Sequence, residues 1–377
     1  MLLQYPLVYC CKNGYNCNEI FILQKFTTIL LLLFGFAGWC LIQAFKPIPP
    51  NQKNTPSAIS FKVPKGWPVP NYDFKKNSVT QAGFELGKKL FYDGRLSKDG
   101  NFACASCHQQ FATFSTLDHA FSHGINNGLT NRNAPGLFNL AWQKDFMWDG
   151  SIHHLDLQPI APITATNEMG ETIDSVLLKL SGDKTYRKLF KAAFGSETIT
   201  TQRLGKALSQ FLVMLISNNN KYDRVMRGED SFNLPQQLGY EIFKNKCASC
   251  HREPLFTDFS YRNTGLPLDT FLKDYGRKKT TAIASDSLRF KVPSLRNVQV
   301  TFPYGHDGRF YSLNAVMEHY NNKATKGPTT DSLINKLFLN NFEIGQLKAF
   351  LYTLTDSAFL KDKRFRDASY VDKVEAH

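Results

Sequence analysis

Apolar residues recur every three to four positions over residues 83–91, 173–180, 184–193, 201–216, 239–244, 313–320 and 343–354. That period places one apolar stripe along a helix, so each stretch predicts an amphipathic α-helix. An alternation of period two is nowhere sustained. Gly and Pro punctuate long connections such as 118–136 and 252–288, which read as loops. The chain therefore reads as mainly α with long loops, and Asn218-Asn219-Asn220 with Gly228 predict a boundary near 218–232.

The amino-terminal pattern differs in kind. Residues 26–45 are twenty uncharged positions in a row, centred on Ile29-Leu30-Leu31-Leu32-Leu33-Phe34. A helix of about 20 apolar residues matches the hydrocarbon core of a bilayer. A transmembrane anchor, a cleaved signal segment after Lys25 and a lipoprotein leader at Cys40 are the three readings, and the uncleaved anchor is favoured. Trp39 stands where a lipoprotein signal wants a small residue. Loop charge points the other way from export, because Lys46, Lys53, Lys62 and Lys65 all follow the apolar run. Residues 46–72 then carry seven prolines and predict an extended linker that lifts a globular body off the membrane.

Composition narrows the classes further. At about 150 residues per domain, 377 residues hold more than one domain. A hydrophobic share of 42% supplies real cores, and 20% charged residues is too few for a disordered chain. The net charge of +13 is dispersed, and no nucleic-acid recognition motif accompanies it, so no nucleic-acid partner is expected. Lys88, Lys89 and the cluster Lys184, Arg187, Lys188 and Lys191 are candidates for docking an acidic partner, beside their plainer reading as solvated helix faces.

Four of the eight cysteines (Cys10, Cys11, Cys17 and Cys40) lie in the terminal segment. The other four form two identical pentapeptides, Cys104-Ala105-Ser106-Cys107-His108 and Cys247-Ala248-Ser249-Cys250-His251. Each follows a similar helical pattern, so the unit is duplicated. Two thiols three positions apart suit thioether bonds to the two vinyl groups of one haem, and the adjacent histidine suits its iron. A four-cysteine zinc site wants its pairs about 15–20 residues apart, far closer than these. A thioredoxin-type pair has no use for the histidine. Two covalently bound haem c groups are the expectation. Such attachment occurs outside the bacterial cytoplasm, which outweighs the loop-charge count and predicts the periplasmic side of the inner membrane, or a soluble periplasmic protein if the leader is cleaved.

Further motifs stand in order around the pentapeptides: Tyr92-Asp93-Gly94-Arg95-Leu96-Ser97, Arg132-Asn133-Ala134-Pro135, Trp148-Asp149-Gly150, Glu168-Met169-Gly170, Lys291-Val292-Pro293-Ser294-Leu295-Arg296-Asn297 and His306-Asp307-Gly308. In this series the chain resembles the bacterial di-haem cytochrome c peroxidases, including the MauG enzymes, over roughly residues 75–355. The resemblance implies two cytochrome c-like haem domains, a peroxidatic one at 73–225 and an electron-transfer one at 226–377, after the anchor or signal at 1–45 and the linker at 46–72. It implies that Glu168 is the catalytic proton shuttle, that Gln158 lines its pocket and that Trp148 relays electrons between the haems. His108 and His251 become proximal ligands. His123 caps the first iron, with His119 as the fallback, and Asn133, Thr301 and Pro303 hold a calcium ion, an oxygen set suited to that hard cation. His306 lies near the domain interface, while His153, His154, His319 and His377 read as surface or tail residues.

One departure matters. The distal ligand of the second haem falls on Tyr320, where typical peroxidases have methionine and the MauG branch has tyrosine. Met317, one turn earlier, is the alternative if the helix is rotated. A phenolate stabilises ferric iron, whereas a thioether raises the haem potential. Three activities follow from the resemblance. One is a peroxidase reducing hydrogen peroxide with electrons from a small cytochrome or copper protein. The second is a MauG-like oxidase of a protein or small molecule, and the third a non-enzymatic electron carrier. A homodimer is left open.

Overall fold

The computed structural model describes residues 57–334 and 337–367. The apolar run at 26–45, the four terminal cysteines and His377 lie outside them. Among the described residues no helix is long and apolar enough to cross a membrane. In chain order the helices are α1 (Gln81–Phe91), α2 (Cys104–Cys107), α3 (Ile160–Thr164), α4 (Ile173–Gly182), α5 (Lys184–Phe194), α6 (Thr201–Leu212), α7 (Lys221–Met226), α8 (Leu234–Lys246), α9 (Lys278–Thr281), α10 (Leu313–Glu318), α11 (Asn341–Tyr352) and α12 (Ser357–Leu360). Sheet is confined to β1 (Tyr261–Arg262) paired antiparallel with β2 (Phe290–Lys291), Tyr261 opposite Lys291. The protein is mainly helical, as the periodicity predicts.

Two helix crossings organise two cores. Thr80 caps α1 by accepting from the Gly83 N–H, and α1 buries Phe84, Leu86, Leu90 and Phe91 against α6. The crossing is close: a Cβ on Gly87 would stand 2.0 Å from the Ala207 carbonyl. Fully buried apolar side chains of this size stabilise by about 1.5–3 kcal/mol each. The second core repeats the device, with α8 crossing α11 where a Cβ on Gly239 would meet the Gln346 carbonyl at 2.0 Å. Phe243, Phe256 and Phe350 fill it. Asn233 with Gln236, and Asn340 with Glu343, form capping boxes that start α8 and α11.

Three expectations change. Residues 57–72 hold no helix and one tight turn, where the Trp67 amide donates to the Pro64 carbonyl, yet this part of the stretch is bound to the body. The Trp142 Nε1–H donates to the Pro68 carbonyl at 2.7 Å, the Asn71 and Tyr72 amides donate to the Ala141 carbonyl at 2.9 and 3.0 Å, and Phe61, Trp67 and Tyr72 pack on the first core. The aromatic side chains give this arm an apolar face that the proline count does not reveal. The cores also trade chain segments across the expected boundary at 225/226. Tyr222 of α7 packs in the second core, while Phe359 and Phe365 return to the first. Both cores lie in one compact unit. Finally, α6 stops at Leu212 although the apolar pattern runs on to 216. Beyond it the Leu215 and Ser217 carbonyls accept from the Asn139 backbone and side chain, which diverts the backbone while Val213 and Leu215 stay buried.

One buried ion pair ties the segments together. Arg296, wholly buried, makes a bidentate pair with Asp223 at 2.8 and 2.7 Å and donates to the carbonyls of Pro254 and Ser217. Its guanidinium lies over the ring of Trp67 from the arm, 4.6 Å from the centroid.

Candidate functional site

The first pentapeptide forms the short helix α2 with His108 as its cap, and the second begins at Cys247, the C-cap of α8. In α2 the i, i+3 spacing puts Cys104 and Cys107 on one face. His108 then leaves the helix with φ −118° and ψ 85°. Thr113 and Phe114 both adopt left-handed backbone (φ 62° and 57°) and fold the chain back. This brings the Phe114 carbonyl to 2.7 Å from His108 Nδ1. The second copy does the same: Phe256 is left-handed (φ 56°), and its carbonyl lies 3.2 Å from His251 Nδ1, with that of Pro293 at 3.1 Å. A carbonyl only accepts, so Nδ1 carries the proton and Nε2 keeps its lone pair. Burial holds both imidazoles below their ordinary pKa, hence neutral. That is the donor state a haem iron needs.

Phe114 and Phe256 were not singled out in the sequence. Their signal is an aromatic residue followed by a hydroxyl residue, Phe114-Ser115 and Phe256-Thr257, shortly after each histidine.

One cavity of about 680 Å³ joins the two motifs. Cys107, His108, Gln158, Glu168 and Trp148 line it from one half, and Cys247, Cys250, His251, Met317 and Tyr320 from the other. Glu168 stands on the turn that follows α3, its amide donating to the Ala165 carbonyl at 3.0 Å. Burial alone raises its pKa, and the Cys107 thiol is raised by its own burial first and then by the charge of Glu168. Gln158 ends the turn before α3, its Nε2 3.8 Å from Met147 Sδ. The Trp148 Nε1–H donates to the Asn133 carbonyl at 2.8 Å, and its own carbonyl accepts from the Lys291 amide at 2.8 Å. Trp148 is thus tied to Asn133 through its indole and to Lys291 through its backbone.

His123 is not brought into this lining. It is exposed, with its ring edge-on to that of His119 at 5.6 Å between centroids. Its loop nonetheless rests on the glutamate: the Ile125 amide donates to the Glu168 carbonyl at 2.8 Å, and a Cβ on Gly124 would lie 2.6 Å from that oxygen.

At the second motif α10 ends at Glu318 and widens into a π-helical turn, His319–Lys323. Tyr320 lies in that turn near the Cys247 and Cys250 thiols, and burial pushes its phenol up to about 12. Met317 also lines the cavity but is built into the second core, 7% exposed. His319, expected at the surface, is buried instead, with Nε2 2.8 Å from the Thr264 carbonyl. His306 is buried and stacks on Phe290 with centroids 3.6 Å apart.

Asn133, Thr301 and Pro303 line the same cavity. The Asn133 amide group donates to the carbonyls of His119 and Ala120, both at 3.2 Å, which leaves Oδ1 as its remaining acceptor. Among the described residues no cluster of three or more His, Cys, Asp or Glu side chains offers a metal site. Several of the basic docking candidates are engaged locally: Lys88 with Glu85, and Arg187 and Lys191 with Glu197.

Comparison with known proteins agrees with this geometry. A family model described as di-haem cytochrome c peroxidase matches residues 81–231. The methylamine utilization protein MauG of Methylophilus methylotrophus is 35% identical over 315 residues, covering 81% of this chain and 90% of the relative. Cytochrome c551 peroxidase of Nitrosomonas europaea is 34% identical over 276 residues, 72% of this chain and 79% of its own. Among solved structures, a MauG-like protein associated with microbial copper homeostasis superposes with a TM-score of 0.75 at 29% identity, covering 83% of this chain and all of its own. The di-haem peroxidase BthA of Burkholderia thailandensis, at 20% identity and a TM-score of 0.68 over 82% of this chain and 94% of its own, shares the fold. With two neutral imidazoles presented to one cavity beside paired cysteines, the chain belongs to the di-haem cytochrome c peroxidase and MauG family, whose members carry two haem c groups.

Proposed function

We propose that the protein reduces hydrogen peroxide to water with electrons from a small cytochrome or copper protein, entering at the second haem and passing to the first. The observation that carries this reading is Glu168, a carboxyl partly desolvated in the cavity beside Cys107, with its pKa raised by burial. An electron carrier has no need of such a group. Two haems would be held through Cys104, Cys107, Cys247 and Cys250 with His108 and His251 as ligands, and would supply the redox chemistry that passes the donor's electrons to peroxide. Peroxide gains two electrons and two protons and leaves as two waters. Glu168 takes the proton from one peroxide oxygen and delivers it to the other as the O–O bond breaks. Gln158 borders the same cavity and orients the peroxide by hydrogen bonding. Trp148, tied to Asn133 through its indole and to Lys291 through its backbone, offers an aromatic ring along the path between the haems. The loop that carries His123 touches Glu168, and His123 would be the residue that caps the first haem when bound and exposes it when released. Asn133 Oδ1 with the carbonyls of Thr301 and Pro303 would hold the calcium ion. We place the protein on the periplasmic side of the membrane.

Tyr320 favours a second reading. A phenol at the second centre, rather than a thioether, suits MauG-like oxidation of a protein or small molecule. Steady-state turnover with peroxide and a reduced small cytochrome or copper protein separates the two. Rapid donor oxidation supports the peroxidase, and peroxide consumption without donor oxidation refutes it. Glu168→Gln keeps both haems attached while peroxide turnover falls about 10²–10⁴-fold, the usual worth of a positioned acid–base group. Unchanged turnover would remove Glu168 from its role.

A further inference from the structure

The basic side chains that line the cavity differ in one respect. Arg132 pairs with Asp149 at 2.8 Å and Asp274 at 2.6 Å. Arg262 pairs with Asp331 at 2.7 Å, and Arg296 with Asp223. Two buried or half-buried lysines of the lining form no such pair among the described residues. Lys246 donates to the carbonyls of Leu337 and Phe338. Lys291 stands on the segment that joins Trp148 to His251, and its Nζ meets two neutral oxygens, Gln143 Oε1 at 3.3 Å and the Asp145 carbonyl. The nearby carboxylates are engaged elsewhere: Asp145 accepts from His153 at 2.7 Å and from the Tyr261 hydroxyl at 3.3 Å, and Asp149 holds Arg132. Arg277 adds positive charge from the other side. Burial accordingly pushes the Lys291 ammonium down to about 8, although Asp145 and Asp149 oppose the fall. Desolvating an ammonium costs several kcal/mol unless an anion meets it.

The lysine is also held in place by its backbone. Its amide donates to the Trp148 carbonyl at 2.8 Å, and two residues on, the Pro293 carbonyl meets Nδ1 of His251 at 3.1 Å. The segment 291–293 therefore runs from the tryptophan to the second proximal histidine, with Lys291 in the cavity lining. The anions that haem c brings into such a space are its propionates.

We infer that Lys291 holds a propionate of one of the two haems by a charge-assisted hydrogen bond and so acts as a positioning residue for that cofactor. The inference rests on the presence of the haems and is independent of whether peroxide or another substrate is turned over. An ammonium at the propionate offsets negative charge near the iron and raises the reduction potential of that haem. Arginine keeps the charge, and methionine removes it at similar volume.

The test uses the full chain with both haems attached, as Lys291→Met, Lys291→Gln and Lys291→Arg. Midpoint potentials of the two haems are measured by spectroelectrochemistry from neutral to alkaline pH, and propionate bending modes by resonance Raman. The potentials need no peroxide, so this readout survives failure of the peroxidase reading. Lys291→Met and Lys291→Gln shift one haem to lower potential and move its propionate mode, while Lys291→Arg stays near the parent. If both neutral variants retain the parental potentials and modes, or if the arginine variant shifts as far as they do, the assignment is overturned. Lys291→Gln keeps the test available if the methionine variant fails to fold.

Discussion

Replacing Asp223 by Asn isolates the contribution of the buried ion pair that ties the two cores. Arg296 is wholly buried and Asp223 nearly so, and the pair makes two hydrogen bonds at 2.8 and 2.7 Å. Asparagine fits the same space but retains one acceptor oxygen and no charge. It leaves the guanidinium with a single neutral side-chain acceptor beside the carbonyls of Pro254 and Ser217. It also weakens the α7 capping box, because the Asp223 carboxylate accepts from the Asn220 amide at 3.1 Å. Breaking a buried pair from one side costs about 3–5 kcal/mol. That is a hundredfold or more in the folded-to-unfolded ratio, a large part of an ordinary domain's stability. Guanidinium titration followed by haem absorbance and tryptophan fluorescence reads the loss as an earlier midpoint. The double variant Asp223→Val with Arg296→Met recovers most of it, since neither partner is then left charged. A loss below about 1 kcal/mol for Asp223→Asn would refute the argument, because only a solvated pair is worth so little.

Three further outcomes follow. Tyr320→Phe changes the ferric spectrum and raises the potential of the second haem, whereas Met317→Leu changes neither and costs less than about 1.5 kcal/mol as a volume-conserving core swap; the opposite pattern would make Met317 the ligand. Glu168 accepts a proton only when ionised, and burial raises its pKa. The peroxide rate therefore falls as pH drops through a limb lying above the ordinary glutamate range, and Glu168→Gln removes that limb from the pH–kcat profile. Gly87→Ala drives a methyl into the Ala207 carbonyl at the α1–α6 crossing and destabilises by about 1–3 kcal/mol in denaturant titration; a neutral result would show that the helices separate freely.

The histidine survey shows where sequence reading stops. His108 and His251 are legible because their partners are neighbours in the chain. His319 reads as a surface residue, since its buried partner, the Thr264 carbonyl, is a neighbour in space that periodicity does not encode. Phe114 and Phe256 act through their carbonyls, which no side-chain pattern reports. The arm at 57–72 looks like a free linker because its prolines are visible in sequence while its partner Trp142 is about seventy positions away.

The sequence by itself determined the helical class, the duplicated attachment sites and the two haems, because those properties are written at spacings of three, four and one residue. Only the tertiary structure decided that Trp148, Glu168, Lys291 and Tyr320 share one cavity, that Met317 is a core residue and that segments cross between the cores. Local spacing dictates what a turn of backbone presents. Which turns meet is settled by burial and by close approaches such as Gly87 on Ala207, between residues over a hundred positions apart.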